Sequence, residues 1–296
     1  MIRSIDTSQL SHPELHRLML GAIAPRPIAF ASTVDASGRP NLAPFSFFNA
    51  FGVNPSTIIF SPSRRGRDNT TKDTFNNLKE VPEVVINAVN YGMVEQVSLA
   101  STEFPAGINE FEKSGFTPLA SVKVRPFRVA ESPVQWECRV REIIETGTGG
   151  GAANLVICEV LMVHISESAL TADGQIDTNK LDLVGRMGGD YYVRASGNAL
   201  FEVEKPLQKP AIGIDSLPVA VKNSKILTGN ELGRLGSSES IPAETELVTI
   251  SQMDEVVAIH RKYADSMQRA EQIQLLIRDL LKKNRKREAL CVAYLL

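Results

Sequence analysis

The feature that most constrains the fold is a long hairpin pattern in the middle of the chain. The segment PVQWECRVREIIETG (133–147) alternates apolar and polar residues over several positions, and NLVICEVLMVHI (154–165) returns after a run of glycines. Alternation with a period of two is typical of strands with one buried face. We interpret the run Gly147–Gly151 as a hairpin loop and not as a dinucleotide-binding fingerprint, because no βαβ unit surrounds it and no helix follows it.

The rest of the first 200 residues is built from short elements. Further strands are predicted in RPIAFASTV (26–34), NLAPFSFFNAFG (41–52), STIIFSP (56–62) and EVVINAVN (83–90). Short helices are predicted in SHPELHRLMLG (11–21), TTKDTFNNLKE (70–80), VEQVSLASTEF (94–104) and INEFEKSG (108–115). Because the strands rarely alternate with long helices, a doubly wound parallel sheet is disfavoured. We expect a mainly β fold, a closed antiparallel barrel of about six strands with attached helices.

Two local signals support these assignments. Ser11 and Glu14 have the spacing of a capping box at a helix start. The segment Asp35–Gly38 has the composition of a tight turn between two strands.

The composition changes after Phe201. The segment EVEKPLQKPAIGIDSLP (202–218) is rich in proline and resembles a linker. From Ser251 onward we predict one long amphipathic helix, with Ser251 and Asp254 as a capping box. Its apolar stripe, expected to pack against the barrel or a second copy of the chain, comprises Val256, Ile259, Tyr263, Met267, Ala270, Ile273, Ile277 and Leu280. The predicted domains are therefore 1–200 and 201–296.

The bulk numbers exclude several classes of protein. The formal net charge is −2, so no overall field favours nucleic acid or acidic membranes. The basic run KKNRKRE (282–288) is interpreted as a helix end, where cations are favoured. The start, MIRSIDTSQL, does not resemble a signal peptide, and no apolar run is long enough to span a bilayer. Three cysteines without a CxxC motif are expected to be reduced thiols in a cytoplasmic protein.

The segment SPSRRGRDNTTKDTFNN (61–77) is the first candidate site. It combines hydroxyl groups, three arginines and Lys72 at a predicted helix start, where unpaired N–H groups and a partial positive charge favour a phosphate monoester. The alternative is a capping box from Thr70 and Asp73 with surface arginines. The residue types alone do not separate these interpretations.

Three other places carry polar groups beside aromatic or apolar ones. In NLAPFSFFNAFG, amides and a hydroxyl lie among three phenylalanines, which fits either the edge of a heterocycle or a core strand. In LDLVGRMGGDYY (181–192), Arg186 precedes two glycines and two tyrosines, which fits either a ring-binding turn or a structural turn. His164 ends an apolar strand and is either a hydrogen-bonded core residue or a catalytic one.

The sequence lacks the usual catalytic motifs. It contains no GxSxG, HExxH or Walker motif and no paired catalytic carboxylates. His12 and His16 have metal-ligand spacing on a helix, but no third ligand is close in sequence, so we expect no metal. This pattern suggests that a cofactor supplies the chemistry and that no side chain acts as the catalyst.

Several of these segments together resemble one protein family. The stretch from Gly21 to Pro62, with KDTFNNL, VVINAVN and VGRMGGDYY, is similar to the flavin reductase-like, FMN-binding split-barrel proteins. The resemblance covers roughly residues 15–200. It implies a six-stranded Greek-key barrel with flanking helices, a homodimer, and FMN in a cleft near the dimer interface. The segment after residue 200 resembles extensions in longer members of the family.

The resemblance also implies roles for individual residues. Beside the isoalloxazine would lie Arg26, Ser32 and Thr33. The ring edge and ribityl chain would be held by Asn41, Ala43, Ser46, Phe47 and Asn49. The phosphate would be surrounded by Ser61, Ser63, Arg64, Lys72, Asp73 and Thr74. The side where a nicotinamide stacks would be closed by Arg186 and Tyr191, with His164 near the flavin.

The implied activity is hydride transfer from NADH or NADPH to flavin N5. The electrons then pass to an acceptor, for which a partner protein is one candidate. This step needs ring stacking and hydrogen-bond donors at the flavin N1/O2 edge, but no protein acid or base. Two alternatives stay open: an FMN-binding electron carrier without NAD(P)H activity, and a dimer without enzymatic activity. Nucleic acid and membranes are not expected partners.

Overall fold

The computed structural model describes residues 1–105, 107–204 and 209–296, which form two compact units. The first is Met1–Phe201 and the second is Glu202–Leu296. The predicted linker falls partly on residues 205–208, which lie outside the described residues.

The first unit contains one large sheet, two small ones and five helices along its described residues. The strands are β1 (Ala29–Val34), β2 (Pro40–Phe45), β3 (Phe48–Val53), β4 (Ser56–Phe60), β5 (Glu83–Asn87), β6 (Pro118–Leu119), β7 (Arg128–Val129), β8 (Val134–Glu145), β9 (Asn154–Ile165), β10 (Val184–Arg186) and β11 (Tyr192–Arg194). The helices are α1 (His12–Ala22), α2 (Asp73–Glu80), α3 (Val94–Ala100), α4 (Glu110–Ser114) and α5 (Thr178–Leu181). Single 3₁₀ turns form at Thr7–Gln9, Tyr91–Met93, Glu167–Ala169 and Gly197–Ala199.

The predicted hairpin, β8 and β9, forms two adjacent inner strands of the large sheet. β8 and β9 pair along their whole length, from Val134 opposite Ile165 to Glu145 opposite Asn154. Two register shifts interrupt the ladder, and such bulges bend a strand pair. The prediction of a hairpin is therefore confirmed, and its bends help the sheet to curl.

The sheet has the order β2-β1-β5-β8-β9-β4-β3 and is antiparallel at every pairing. β2 and β3 lie at opposite edges, yet only Ser46 and Phe47 separate them in sequence. Three peptide units span at most about 11 Å, so the two edges must approach each other. The sheet therefore closes around a gap that no backbone ladder bridges among the described residues, which is a split barrel.

The predicted fold class, an antiparallel split barrel with a helical C-terminal part, is confirmed. The strand count differs: the large sheet has seven strands, not six. The segment NLAPFSFFNAFG, which the sequence analysis treats as one strand, divides at Ser46 and Phe47 into β2 and β3. This division lets the chain cross from one edge of the barrel to the other.

Alternation along β1 separates two cores. Ala29 and Ala31 face the barrel interior, where Phe45 and Phe60 from the two sides of the gap lie with ring centroids 5.6 Å apart. Phe30 faces the outer side and packs with residues of α3 and α4. Burial of each large side chain stabilises the fold by roughly 1.5–3 kcal/mol.

The second unit is helical. Its helices are α6 (Val219–Lys222), α7 (Gly229–Gly236), α8 (Glu244–Ser251), α9 (Asp254–Lys262), α10 (Ser266–Lys282) and α11 (Lys286–Ala293), after a 3₁₀ turn at Ile214–Ser216. Their buried residues form one hydrophobic cluster that runs from Leu217 to Ala293.

The prediction of one long helix from Ser251 is wrong. Three helices occupy this region, because the Asp265 side chain accepts a hydrogen bond from Gln268 N–H and starts α10, and Asn284 has a left-handed φ of 58° after its end. The predicted capping box is wrong as well, since Ser251 is the last residue of α8 and its hydroxyl donates to Val248 O. Met267, a predicted stripe residue, is 79% exposed.

Neither unit carries a described helix that is both long enough and apolar enough to cross a membrane. All three cysteines are free and buried.

Candidate functional site

The start of helix α2 carries a cation, Lys72, that forms no ion pair with any described residue, although Glu103 and Asp73 attract it from a distance. Lys72 is the N-cap of α2, and its side chain is half-buried. Among the described residues no carboxylate or carbonyl accepts a bond from its ammonium group, which lies 6.0 Å from the centroid of the Phe45 ring. Burial, followed by the nearby Arg65, lowers the pKa of Lys72. A desolvated cation beside the unpaired N–H groups of a helix start favours a bound anion.

A buried hydrogen-bond network fixes this helix start on the sheet. The Asn41 amide on β2 donates to Thr33 Oγ1 at 3.1 Å and to Thr74 Oγ1 at 2.9 Å. The Asn77 amide donates to the same Thr33 hydroxyl at 3.1 Å. Three predicted site residues, Thr33, Asn41 and Thr74, therefore meet here. Asp73, which directly precedes Thr74, is the first residue of α2.

Asn77 was missed by the sequence analysis. It lies three residues after Thr74, and side chains at that spacing share one face of a helix. This spacing could have identified it.

Two predicted hydroxyl groups meet at the end of β4. Ser61 Oγ lies 3.1 Å from Ser63 Oγ and accepts the Asn154 N–H at 3.2 Å. The Asn154 amide donates to Pro62 O at 3.0 Å, while its Oδ1 is buried without a partner. Asn154 was also missed, because it precedes the long apolar run of β9 and has no local signal.

Arg64 is held by its own loop. Its Nε donates to Asn69 Oδ1 at 2.7 Å and its guanidinium donates again to Asn69 O at 2.6 Å. Asn69 has a left-handed φ of 59°, and its amide reaches Thr148 O at 2.9 Å. The segment that carries Ser61, Ser63 and Arg64 is therefore tied to the β8–β9 loop.

The glycine run of that loop (residues 147–151, the glycine loop) packs directly on the segment between β4 and α2 (residues 61–72, the arginine loop). Arg64 N–H donates to Ala152 O at 3.0 Å, and Gly151 N–H donates to Arg64 O at 3.1 Å. A Cβ at Gly150 would lie 3.0 Å from Gly66 O, whereas one at Gly149 would meet nothing within 4 Å. This run is predicted only as a hairpin loop, and in the structure it also packs against the loop that carries Arg64.

The alternative interpretation of this segment is partly wrong. Thr70 is not the N-cap of α2, because its hydroxyl donates to Asp68 Oδ1 instead. Arg65 and Arg67 are in ion pairs with Glu103. Arg67 is exposed, as expected for a surface charge, whereas Arg65 is half-buried and also donates to Thr71 O.

A second group of predicted residues lies at the barrel gap. Arg26 is buried, and its guanidinium donates to Leu20 O and Ile23 O, each at 2.6 Å, and to Met187 O at 2.9 Å. Its Nε donates to Ser46 Oγ at 3.3 Å. Burial, followed by Arg186, lowers the pKa of Arg26. Arg26 therefore satisfies carbonyls at the end of α1 and positions Ser46.

Arg186 belongs to the same group. Its backbone pairs with that of Arg26 at 2.8 and 2.9 Å, and its guanidinium lies 4.7 Å from the centroid of the Tyr192 ring. The predicted partner, Tyr191, is 77% exposed. A backbone bond of 2.9 Å from Ser61 N to Phe47 O links this group to the hydroxyl pair.

The other predicted residues lie apart from these hydrogen bonds. Ser32 is fully buried on the outer face of β1, and its hydroxyl has no partner among the described residues. Ala43 packs against the interior cluster. Phe47 and Asn49 are exposed. His164 lies 2.7 Å from Glu137 Oε1, and Glu137 also accepts bonds from Val122 N and Lys123 N.

The described residues contain no cluster of three His, Cys, Asp or Glu side chains that could hold a metal ion. What they assemble is a basic helix start, a hydroxyl pair and a gap flanked by two arginines. This arrangement can bind a phosphorylated molecule but offers no nucleophile paired with a base.

Comparison with known proteins identifies one protein family. Residues 20–180, more than half of the chain, match the family model described as "Flavin reductase like domain". A protein of Aquifex aeolicus is 35% identical over 189 residues, which cover 64% of this chain and 94% of that protein.

Solved structures are similar as well. Nitrilotriacetate monooxygenase component B from Bacillus cereus has a TM-score of 0.64 and 28% identity, covering 69% of this chain and 99% of its own. The 2-nitrobenzoate 2-nitroreductase from Pseudomonas fluorescens has a TM-score of 0.61 and 26% identity, covering 70% and 99%. The family match ends at residue 180, so the helical unit Glu202–Leu296 lies outside it.

Proposed function

Because the chain belongs to the flavin reductase-like family, we propose that it binds FMN and uses NADH or NADPH to reduce it, passing the electrons to a separate acceptor. The observation that carries the proposal is the half-buried Lys72 at the start of α2, which pairs with no carboxylate of residues 1–105, 107–204 or 209–296. This site is proposed to hold the phosphate of FMN.

The residues at α2 fit a phosphate dianion. Lys72 supplies a cation that lacks a described counter-ion, and Ser61 and Ser63 supply hydroxyl donors. The first-turn N–H groups of α2 add hydrogen-bond donors at the helix start. A neutral sugar would give Lys72 no anion within hydrogen-bond distance, so a phosphorylated ligand is favoured.

The ring is proposed to lie at the barrel gap. Ser46 is held there by Arg26, and Phe47 offers a partly exposed aromatic surface. When bound, a flavin supplies hydride acceptance and release of electrons to an acceptor. The chain's own residues bind and orient the ring and limit the access of water, and no side chain needs to transfer a proton in the hydride step.

A homodimer is part of the proposal. Edge strand β3 exposes Phe51 at 64% and Val53 at 94%. An exposed apolar edge strand is a common site of association. A second copy of the chain on this edge would cover both side chains and lie near the gap.

The second candidate is an FMN-binding electron carrier without NAD(P)H activity. The likeness to nitrilotriacetate monooxygenase component B favours a chain that works with a partner protein. This likeness does not separate a reductase from a carrier, because both would pass electrons to a partner.

The test is a visible spectrum of the purified protein, followed by anaerobic addition of NADH or NADPH. A flavin band that bleaches supports the reductase, and a band that only dithionite bleaches supports the carrier. A colourless protein that also fails to bind added FMN would reject both.

A further inference from the structure

The carboxylate of Glu103 joins two arginines of the arginine loop. Arg65 Nε lies 3.1 Å from one of its oxygens, and Arg67 forms an ion pair with the other. Glu103 itself belongs to the segment between α3 and α4, outside helices and strands. A carboxylate from a different part of the chain therefore uses both of its oxygens to hold these two guanidinium groups.

These three charges lie at the rim of the proposed phosphate site. The Arg65 guanidinium also donates to Thr71 O at 2.5 Å, directly before Lys72. Burial, followed by the charge of Arg65, lowers the pKa of Lys72, while Glu103 raises it and Arg67 lowers it. Because interactions between charges fall off with distance and are screened by water, all three groups must lie close to the Lys72 ammonium group.

Stability does not account for the position of Glu103. The side chains of Glu103 and Arg67 are 39% and 70% exposed, and ion pairs in contact with water contribute little to stability. Arg67 also has Asp68 at 3.2 Å, and Arg65 keeps its bond to Thr71 O. The arginine loop therefore retains other bonds of its own when the carboxylate is removed.

The two arginines would otherwise suit a second phosphate. Guanidinium groups form strong, often bidentate bonds with phosphate oxygens. FMN carries one phosphate, whereas FAD carries a second phosphate that is joined to the first through a single oxygen. With the first phosphate at Lys72, the second must lie close by, where Arg65 and Arg67 are the arginines whose charges reach Lys72. Glu103 occupies both of them and adds a negative charge at this place.

We propose that Glu103 determines the specificity of this site for a flavin mononucleotide over a flavin dinucleotide, because its carboxylate takes up the two arginines and repels a second phosphate. The inference rests on the proposed function, since it takes the phosphate of FMN to lie at Lys72. A phosphate monoester binds through Lys72, the hydroxyl pair and the first N–H groups of α2, and needs neither arginine.

The test is calorimetric titration of the full-length, flavin-free protein with FMN and with FAD, at low and at high salt. Wild-type protein should bind FMN more tightly than FAD. Glu103→Gln should raise FAD affinity about tenfold but FMN affinity less than about threefold, because only FAD places a phosphate beside the carboxylate. The difference should shrink at high salt, which screens exposed charges.

Two further variants separate this role from a structural one. Glu112→Gln removes the same charge from an exposed position on α4 and should leave the ratio of FAD to FMN affinity unchanged. Glu103→Asp retains the carboxylate and should keep the preference for FMN. If Glu103 only held the arginine loop in place, Glu103→Gln would weaken the binding of both flavins to the same degree.

The proposal is overturned if wild-type protein binds FAD as tightly as FMN, if Glu103→Gln leaves the ratio unchanged, or if Glu112→Gln shifts it equally. In these cases FMN still binds, so the proposed function stands. Failure of both flavins to bind to wild-type protein would reject the proposed function together with this inference. The wild-type ratio and its salt dependence do not rely on any variant that might fail to fold.

Discussion

Helices α2 and α11 both begin with a lysine, but the two lysines have different surroundings. Lys72 is half-buried without a described counter-ion, whereas Lys286 has Glu204 at 2.8 Å. The first helix start lies within the family match and the second lies outside it. A basic helix start in isolation says little about function. What differs is whether the chain supplies its own anion. This difference sets how strongly each helix start should bind an anion from solution.

The largest expected effect is at the first of these sites. Lys72→Ala should lower FMN affinity by roughly 10- to 100-fold, because a charged hydrogen bond is lost. Riboflavin affinity should change little, since riboflavin has no phosphate. Fluorescence titration with both flavins measures the difference, and Lys286→Ala is the matched control. Equal losses for FMN and riboflavin would reject the phosphate assignment.

Asn41→Ala and Ser238→Ala should differ in stability. The Asn41 amide donates to Thr33 and Thr74. Its removal leaves the buried Thr74 hydroxyl without a described partner, while Thr33 keeps Asn77, and should cost about 1–3 kcal/mol of unfolding free energy. The Ser238 hydroxyl has no hydrogen-bond partner in the described parts of the chain, so its removal should be nearly neutral. Urea unfolding of the ligand-free variants checks both, and a larger loss for Ser238→Ala would contradict the assignment of an unsatisfied hydroxyl.

Changes in the glycine loop should affect the binding of ligands at α2 and at no other place. A methyl group at Gly150 would press on Gly66 O at 3.0 Å and shift the arginine loop, whereas one at Gly149 meets open space. Gly150→Ala should therefore weaken FMN binding by about fivefold, corresponding to roughly 1 kcal/mol. Gly149→Ala is the control from the same loop, and indistinguishable FMN affinities for the two would show that the loop does not position the site.

The smallest effect is a pH dependence of the ligand-free protein. The pKa of Lys72 is lower in the folded state than its ordinary value of 10.5, so the unfolded chain binds more protons between the two values. Stability should then rise with pH in that window, because the cost of burying a charged lysine disappears. Comparing thermal unfolding of wild type and Lys72→Met isolates this contribution, and identical pH profiles would argue against a desolvated Lys72.

Much of the architecture could be predicted because its signals are local. The alternation of residues 133–147 predicts the hairpin, and the pairing of Val134 with Ile165 confirms it. The capping box at Ser11 is present, with Glu14 accepting both the N–H and the hydroxyl of Ser11. The segment 61–77 was selected because hydroxyls and cations cluster at a predicted helix start, and α2 does begin there.

Other features could not be predicted because they depend on distant partners. The sequence gives no sign that Asn154 would reach Ser61, 93 residues away, or that the guanidinium of Arg26 would be used by carbonyls of α1 and by Met187. The apolar stripe after Ser251 continues through the helix breaks, since Ile273 on α10 and Leu290 on α11 share one core. Periodicity alone therefore could not show where one helix ends and the next begins.

The sequence by itself determined the antiparallel strands, the helix that starts after Lys72 and the absence of a self-contained catalytic motif. These depend on side-chain periodicity and residue type, which act over a few residues. The tertiary structure alone decided that the barrel edges meet at Ser46 and Phe47 and that the glycine loop packs on the arginine loop. It also decided that Glu204 pairs with Lys286, while Lys72 forms no ion pair with a described residue. Whether a charge is satisfied depends on which groups folding brings within hydrogen-bond distance, and no local pattern records this.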